Sequence, residues 1–302
     1  MTRYISVIGY PLKHSLSPDF QQAALDYYQL DIRYEMWETE AWDLPSEINR
    51  LRQPQNLGAN VTVPYKEAVL HLVDEVDNLA SLIGAVNTIV NRDGKLRGFN
   101  TDAPGFLRAL YENAKFAPEN KRVVILGAGG AARAVGFALL QERVNSLAIA
   151  SRTLLRAKTL VDSLKRYAID RKMRTEVVAL PWQDLKFREA IEHCQLIVNC
   201  TPLGMKYSSQ EEQSPLSAAS IPKGALIYDL VYNPSETPLL KMAREAGVSI
   251  LSGLPMLVYQ GADSFKIWTH REAPLDIMFR AVRQALVKKQ EVVDEEEKDN
   301  SC

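Results

Sequence analysis

The sequence predicts an α/β protein built as two domains, and three observations carry that prediction. Short β-branched runs alternate with helix-patterned segments over nearly the whole chain, which is the pattern of parallel sheets with crossover helices. A length of 302 residues exceeds the usual single domain. A polar, proline-bearing break at Ala117-Pro118-Glu119-Asn120 separates two such alternating stretches.

In the first stretch Tyr4–Ile8, Arg33–Trp37, Asn60–Val63 and Thr88–Asn91 read as strands, with helices at Pro18–Tyr28, Leu44–Leu51 and Lys66–Leu72. Asn91-Arg92-Asp93-Gly94 reads as a hairpin turn, since Asp-Gly supplies the positive φ angles such a turn needs. After the break, Val123–Leu126 is a strand leading through glycines into a helix that ends near Leu140. Later strands are expected at Leu147–Ala150, Leu196–Cys200, Ala225–Leu230 and Ser249–Leu251. Helices from Leu254 to Trp268 and from Leu275 to Lys288 follow, in a position to pack back on the first domain. The expected division is therefore 1–116, completed by helices within 254–289, and 117–253. Residues 290–302 are acidic without an apolar face and are expected to be disordered.

Thirty-six basic and 37 acidic side chains give a formal net charge of −1, which argues against nucleic acid as a partner. No apolar run has the length of a membrane span, and the N-terminal one breaks at Gly9 and Pro11. Cys194, Cys200 and Cys302 show no metal-ligand spacing, so no metal site is expected and a reducing cytoplasm is the simplest setting.

The strand VVIL opens into Gly127-Ala128-Gly129-Gly130-Ala131-Ala132 and a helix, the arrangement that binds a dinucleotide pyrophosphate. Gly127 permits the tight turn, Gly129 lets backbone approach phosphate, and helix-start N–H groups face the anion. The next strand ends in Ser151-Arg152-Thr153, with Arg156 one turn on. An NAD site places an acid at this strand end for the ribose 2′-hydroxyl. Two guanidiniums and two hydroxyls suit a 2′-phosphate instead, so NADP(H) is the expected cofactor.

Polar residues also gather at element ends in the first domain. In Tyr10-Pro11-Leu12-Lys13-His14-Ser15-Leu16-Ser17-Pro18, Ser17 reads as a helix N-cap before a first-turn proline, with Ser15 and Ser17 as donors to a carboxylate. Gly58-Ala59-Asn60-Val61-Thr62-Val63-Pro64-Tyr65-Lys66 ends a strand and puts Lys66 at a helix opening. A cation there runs against the helix dipole, which would lower its pKa and suit proton transfer. Gly84-Ala85-Val86-Asn87-Thr88 enters the hairpin and Gly98-Phe99-Asn100-Thr101-Asp102 leaves it. Singly these are ordinary turn and capping residues. Together they suit a small polyhydroxylated acid.

With these motifs stated, the chain resembles the shikimate dehydrogenase family from about Ile5 to Trp268. The resemblance is carried by IGYPLKHSLSP, GANVTVPYK, GAVNT, GFNTD, GAGGAARA, SRTLLR, NCTPLGM, DLVYNPSETPLL and GLPMLVYQGADSFKIWT. It implies an N-terminal substrate-binding catalytic domain and a C-terminal Rossmann domain for NADP, with the active site in the cleft between them. The implied reaction is reduction of 3-dehydroshikimate to shikimate with NADPH, on the route to chorismate and the aromatic amino acids. By position, Ser15 and Ser17 would hold the substrate carboxylate, and Thr62, Asn87, Tyr232 and Gln260 its ring hydroxyls. Lys66 and Asp102 would be the catalytic pair. Gly127, Ala128, Gly129, Gly130 and Ala131 would cradle the pyrophosphate, and Ser151, Arg152, Thr153 and Arg156 the 2′-phosphate end. Thr201, Pro202 and Met205 would line the same pocket, with Leu230 and Gly253 by the nicotinamide.

The chain departs from the family pattern at four places. Gln21-Gln22 replaces His-Asn, Ser151 replaces Asn, His270 stands where glycine is frequent, and Asn78 where an acid is frequent. Two other readings stand beside the leading one: a quinate/shikimate dehydrogenase with relaxed cofactor use, and a non-catalytic NADP-sensing regulator. The strand-end arginines disfavour an NAD preference, and a sensor needs no acid–base pair. The sequence leaves assembly open, with a homodimer among the options.

Overall fold

We describe the protein from a computed structural model covering residues 2–13, 15–182, 184–206 and 208–299, with side chains described as far as Lys289. His14 and Cys302 lie outside the described residues. Through the first stretch the chain runs β1 (Arg3–Gly9), α1 (Ser17–Tyr27), β2 (Ile32–Glu38), α2 (Leu44–Arg50), β3 (Asn56–Val61), β4 (Glu75–Val76), α3 (Asn78–Ile83), β5 (Thr88–Arg92), β6 (Lys95–Phe99) and α4 (Asp102–Glu112). It continues with β7 (Arg122–Leu126), α5 (Gly130–Gln141), β8 (Ser146–Ser151), α6 (Leu154–Asp170), β9 (Glu176–Pro181), α7 (Leu185–His193) and β10 (Leu196–Asn199). Last come β11 (Leu226–Asp229), α8 (Pro238–Glu245), β12 (Ser249–Leu251), α9 (Leu254–Thr269) and α10 (Leu275–Asp299).

The chain divides into two compact units. One comprises Met1–Asp77, Val86–Thr101 and Val258–Cys302; the other Asn78–Ala85 and Asp102–Leu257. This differs from a boundary at 116/117. Helix α4 turns Ala103, Phe106, Ala109 and Leu110 inward, packs on α5, and stacks Phe106 on Tyr228 with ring centroids 5.1 Å apart. Phe106 and Leu110 each contribute roughly 1.5–3 kcal/mol on burial, enough to assign the helix to the second unit.

The first unit holds a six-stranded sheet of order β2-β1-β3-β5-β6-β4. The expected parallel pairing holds for β2-β1-β3, whereas β3-β5 and β5-β6 are antiparallel. The Asp93-Gly94 turn explains the second of these. Both residues have positive φ (53° and 84°), and a two-residue turn joins only antiparallel neighbours. Strand β3 starts earlier and ends sooner than expected, because Pro64 has no N–H to extend a ladder. The helix expected over Lys66–Leu72 is a single 3-10 turn at Ala68–His71. Helix α1 buries Phe20, Ala24 and Leu25, and α10 packs along it with Met278, Val282 and Ala285 buried. The helical backbone reaches Asp299, where disorder was expected over 290–302; residues 300–302 lie outside the described residues. Glu and Lys are good helix formers, so an acidic segment can continue a helix.

The second unit is a fully parallel sheet of order β12-β11-β10-β7-β8-β9, with a helix between consecutive strands except from β10 to β11, which a loop with one 3-10 turn at Ala218–Ser220 connects. Strand order reverses between β7 and β10, and ligands of such sheets bind beyond the carboxyl ends of strands at that reversal. Edge strand β9 was not expected from the sequence; its burial is broken and its run ends in Pro181.

Candidate active site

At the reversal, Gly127 has φ +111°, and a Cβ there would sit 3.1 Å from the carbonyl carbon and oxygen of Cys200. Only glycine lets the turn after β7 pass so close to the loop after β10. Gly129 is extended and exposed, and a Cβ there would meet nothing within 4 Å. Helix α5 begins at Gly130, has no side-chain cap, and makes its first backbone bond from Arg133 to Gly129. The amides of Gly130, Ala131 and Ala132 therefore lack helical acceptors, and the space beside Gly129 is open. That geometry fits a pyrophosphate. Ala132 is fully buried, as close packing of helix on strand requires.

Strand β8 ends at Ser151, whose Oγ accepts from the amide of Thr153 at 3.2 Å. Arg152, Thr153 and Arg156 are exposed around the start of α6, and among the described residues neither arginine has an acidic partner. These two cations beside uncapped Thr153 form a basic strand end with no acid in it, which fits a 2′-phosphate better than a bare ribose.

The loops after β10 and β11 are joined by one buried carboxylate. Asp229 accepts from Asn199 Nδ2 at 2.9 Å, from Thr237 Oγ1 at 2.6 Å and from the amide of Val231 at 3.1 Å. Asn199 in turn accepts from the amide and hydroxyl of Thr201, at 3.0 and 2.6 Å. Burial pushes the Asp229 carboxyl up to about 6, against these three donors. Met205 is half-buried in the loop after β10, its amide bonded to Pro202, and Lys206 bonds back to Asn233. Gly253 follows β12, and a Cβ on it would lie 2.1 Å from the Leu230 carbonyl oxygen. Leu230 and Gly253 are thus brought together, backbone against backbone. Tyr232 is half-buried and its pKa is raised to about 12 by desolvation, so its hydroxyl is a proton donor at neutral pH.

In the first unit, Ser15 and Ser17 are joined directly, the amide of Ser17 donating to Ser15 Oγ at 3.3 Å. Ser17 does not cap α1 as expected. The cap position is Leu16, without a side-chain bond, and Ser17 is the first helical residue. Thr62 follows β3, its amide bonded to Ile8 and its methyl against Gly9, where a Cβ would come within 2.4 Å. Lys66 is half-buried in a turn ahead of the 3-10 helix. The helix-dipole argument for it lapses, since four 3-10 residues do not align enough peptides to carry one.

Asn87 is 2% exposed and organises the polar interior. Its Nδ2 donates to Thr101 Oγ1 at 2.8 Å and to Gln260 Oε1 at 3.2 Å, and its Oδ1 accepts from the amide of Thr101 at 2.8 Å. Asn60, Thr88 and Ser264 extend the network: Asn60 Nδ2 reaches Ser264 Oγ at 3.1 Å, and Ser264 and Thr88 hydroxyls are 2.7 Å apart. The sequence reading omitted these three residues as supports. The available signals were Asn60 two positions before Thr62 and Ser264 one helical turn after Gln260. Asp102 is 3% exposed and starts α4 in the second unit, one peptide bond after Thr101.

The departures from the family pattern also find positions. Gln21 is buried and donates to the Gly261 carbonyl at 2.8 Å, so it ties α1 to α9. His270 is exposed with φ +56° just past α9, the left-handed end position that glycine usually serves. Asn78 is exposed at the start of α3.

Among the described residues no group of acids, histidines and cysteines could hold a metal, and no helix is long and apolar enough to cross a membrane. Family profiles match three stretches: a shikimate dehydrogenase substrate binding domain over 7–89, a shikimate / quinate 5-dehydrogenase over 112–214, and a shikimate 5′-dehydrogenase C-terminal domain over 253–283. The shikimate dehydrogenase (NADP(+)) of Moorella thermoacetica is 44% identical, covering 94% of each chain. That of Methanopyrus kandleri is 41% identical over 94% of this chain and 96% of its own. The crystal structure of shikimate 5-dehydrogenase from Thermus thermophilus, in complex with NADP(H) and shikimate, superposes with a TM-score of 0.81 at 38% identity. That likeness covers 94% of this chain and all of the other. A reversal-point glycine turn, a polar interior centred on Asn87 and relatives matched end to end agree: the chain belongs to the shikimate dehydrogenase family.

Proposed function

We propose that the protein catalyses the reversible NADPH-dependent reduction of 3-dehydroshikimate to shikimate. One observation carries the reading: a run of hydrogen bonds within the first unit leads from the turn of Lys66 to Thr101. The amide of Val86 donates to the carbonyl of Lys66 at 2.7 Å, and the next residue, Asn87, holds Thr101, which precedes Asp102. A regulator that only sensed a nucleotide would have no use for that arrangement.

NADP(H) would be held by the Gly127–Ala131 turn, by Ser151, Arg152, Thr153 and Arg156, and by Thr201, Met205, Leu230 and Gly253. When bound it supplies or accepts the hydride. Ser15 and Ser17 receive the substrate carboxylate, and Thr62, Asn87, Tyr232 and Gln260 its ring hydroxyls. Lys66 gives a proton to the substrate carbonyl oxygen during reduction and takes one from the hydroxyl in reverse. Asp102 hydrogen-bonds the substrate and steadies the lysine. The reading includes a cytoplasmic setting, supported by the free thiols of Cys194 and Cys200, and a homodimer, which sedimentation tests.

Purified protein with shikimate and NADP⁺ should accumulate NADPH absorbance, and Lys66→Ala should cut kcat by about 10²-fold or more. No turnover of shikimate or quinate with either cofactor would overturn the reading. Preference for quinate or for NAD⁺ in kcat/KM would install the quinate/shikimate alternative.

A further inference from the structure

The serine segment proposed to receive the carboxylate is held from the far end of the chain. Nζ of Lys289 lies 3.1 Å from the carbonyl oxygen of Ser15. The two meet because α10 packs along α1, within one compact unit. Ser15 is further fixed by its amide, which donates to Leu12 at 2.8 Å, and by its hydroxyl, which accepts from Ser17. The Lys289 side chain is half-buried, and desolvation lowers its pKa while the charge of Asp19 in the first turn of α1 opposes that shift. A lysine tip usually extends to water while its stem covers apolar surface. Here the ammonium turns back onto the backbone of the serine segment, in a partly buried position. Hydroxyl donors are neutral, and a carboxylate taken out of water needs a compensating charge.

We propose that Lys289 is a positioning residue for the substrate carboxylate: it fixes the Ser15 backbone so that the Ser15 and Ser17 hydroxyls present together, and it sets a positive charge beside the anion they receive. This rests on the reading of Ser15 and Ser17 given above. It adds a second element, the C-terminal helix, to substrate recognition.

The test compares shikimate with its methyl ester, at saturating NADP⁺, for the wild type, Lys289→Met and Lys289→Arg. The wild type should favour the acid. Lys289→Met should raise KM for shikimate about tenfold, leave kcat and the KM for NADP⁺ within twofold, and lower the ester's kcat/KM by no more than about threefold, so the acid-to-ester ratio collapses. Lys289→Arg should restore most of the ratio. Equal losses for acid and ester, or no loss, would show a merely structural tie and overturn the proposal. Lys289→Gln is read the same way, so that misfolding of one variant does not remove the test. A wild type inactive on both compounds overturns the proposed reaction itself, and the role of Lys289 with it.

Discussion

The backbone N–H of Val86 donates to the carbonyl oxygen of Lys66 at 2.7 Å. That bond places the turn carrying Lys66 beside the strand entry carrying Asn87, whose side chain grips Thr101. Thr101 is 3% exposed, and its hydroxyl also lies 3.2 Å from Ser264 Oγ. Thr101→Val keeps the shape and removes the hydroxyl, leaving Asn87 with one fewer acceptor. A cost of about 1–3 kcal/mol in stability is expected. The kcat should fall about tenfold with the KM for NADP⁺ unchanged. Urea unfolding and steady-state rates check both, and an unaltered kcat would remove Thr101 as a support of the site.

Two glycines of the second unit should fail in opposite ways. A Cβ at Gly253 collides with the Leu230 carbonyl at 2.1 Å, and neither partner is a side chain that can swing aside. Gly253→Ala should destabilise by about 1–3 kcal/mol and weaken NADP⁺ as well. A Cβ at Gly129 meets nothing, so Gly129→Ala should leave stability within about 0.5 kcal/mol while filling the space before the α5 amides. Its effect should appear in NADP⁺ affinity alone. Loss of stability in Gly129→Ala, or none in Gly253→Ala, would contradict the packing described.

Arg152 and Arg156 are exposed and lack acidic partners among the described residues, so neither is needed by the fold. Arg152→Ala should raise the KM for NADP⁺ about tenfold or more and change that for NAD⁺ by less than threefold. The readout is the ratio of kcat/KM values for the two cofactors. Parallel losses would mean that the guanidinium does not read the 2′-phosphate.

The second unit was the more legible half of the molecule. Its central strands β7, β10 and β11 are continuous apolar runs because both faces of a parallel sheet are covered, and its glycine turn has a fixed order around β7. The mixed sheet of the first unit was not legible as such, since a strand's direction depends on pairing across long sequence separations. Asn60, Thr88 and Ser264 were missed for a related reason: each looks like an ordinary polar residue until folding buries all three in one hydrogen-bonded network with Asn87. Lys289 illustrates the limit most sharply, because its partner Ser15 lies at the other end of the chain. His270 shows the converse, a departure from the family pattern that needs only a local explanation in its left-handed φ.

Asp229 gives a prediction whose sign follows from its environment. Its carboxyl is pushed from 3.8 to about 6 because burial disfavours the charged form more than Thr237, Asn199 and Val231 favour it. The folded state therefore holds the proton more tightly than the unfolded chain. The stabilising contribution is fully present below the unfolded pKa and is lost as pH rises through about 6, with a size near 3 kcal/mol. Asp229→Asn has no such titration. Comparing the two proteins cancels every other group, so the stability of the variant minus that of the wild type should increase by about 2.4 kcal/mol between pH 4 and pH 7.5. Urea unfolding at a series of pH values measures that difference. A pH-independent gap would mean that Asp229 is ionised throughout, and that its three donors outweigh its burial.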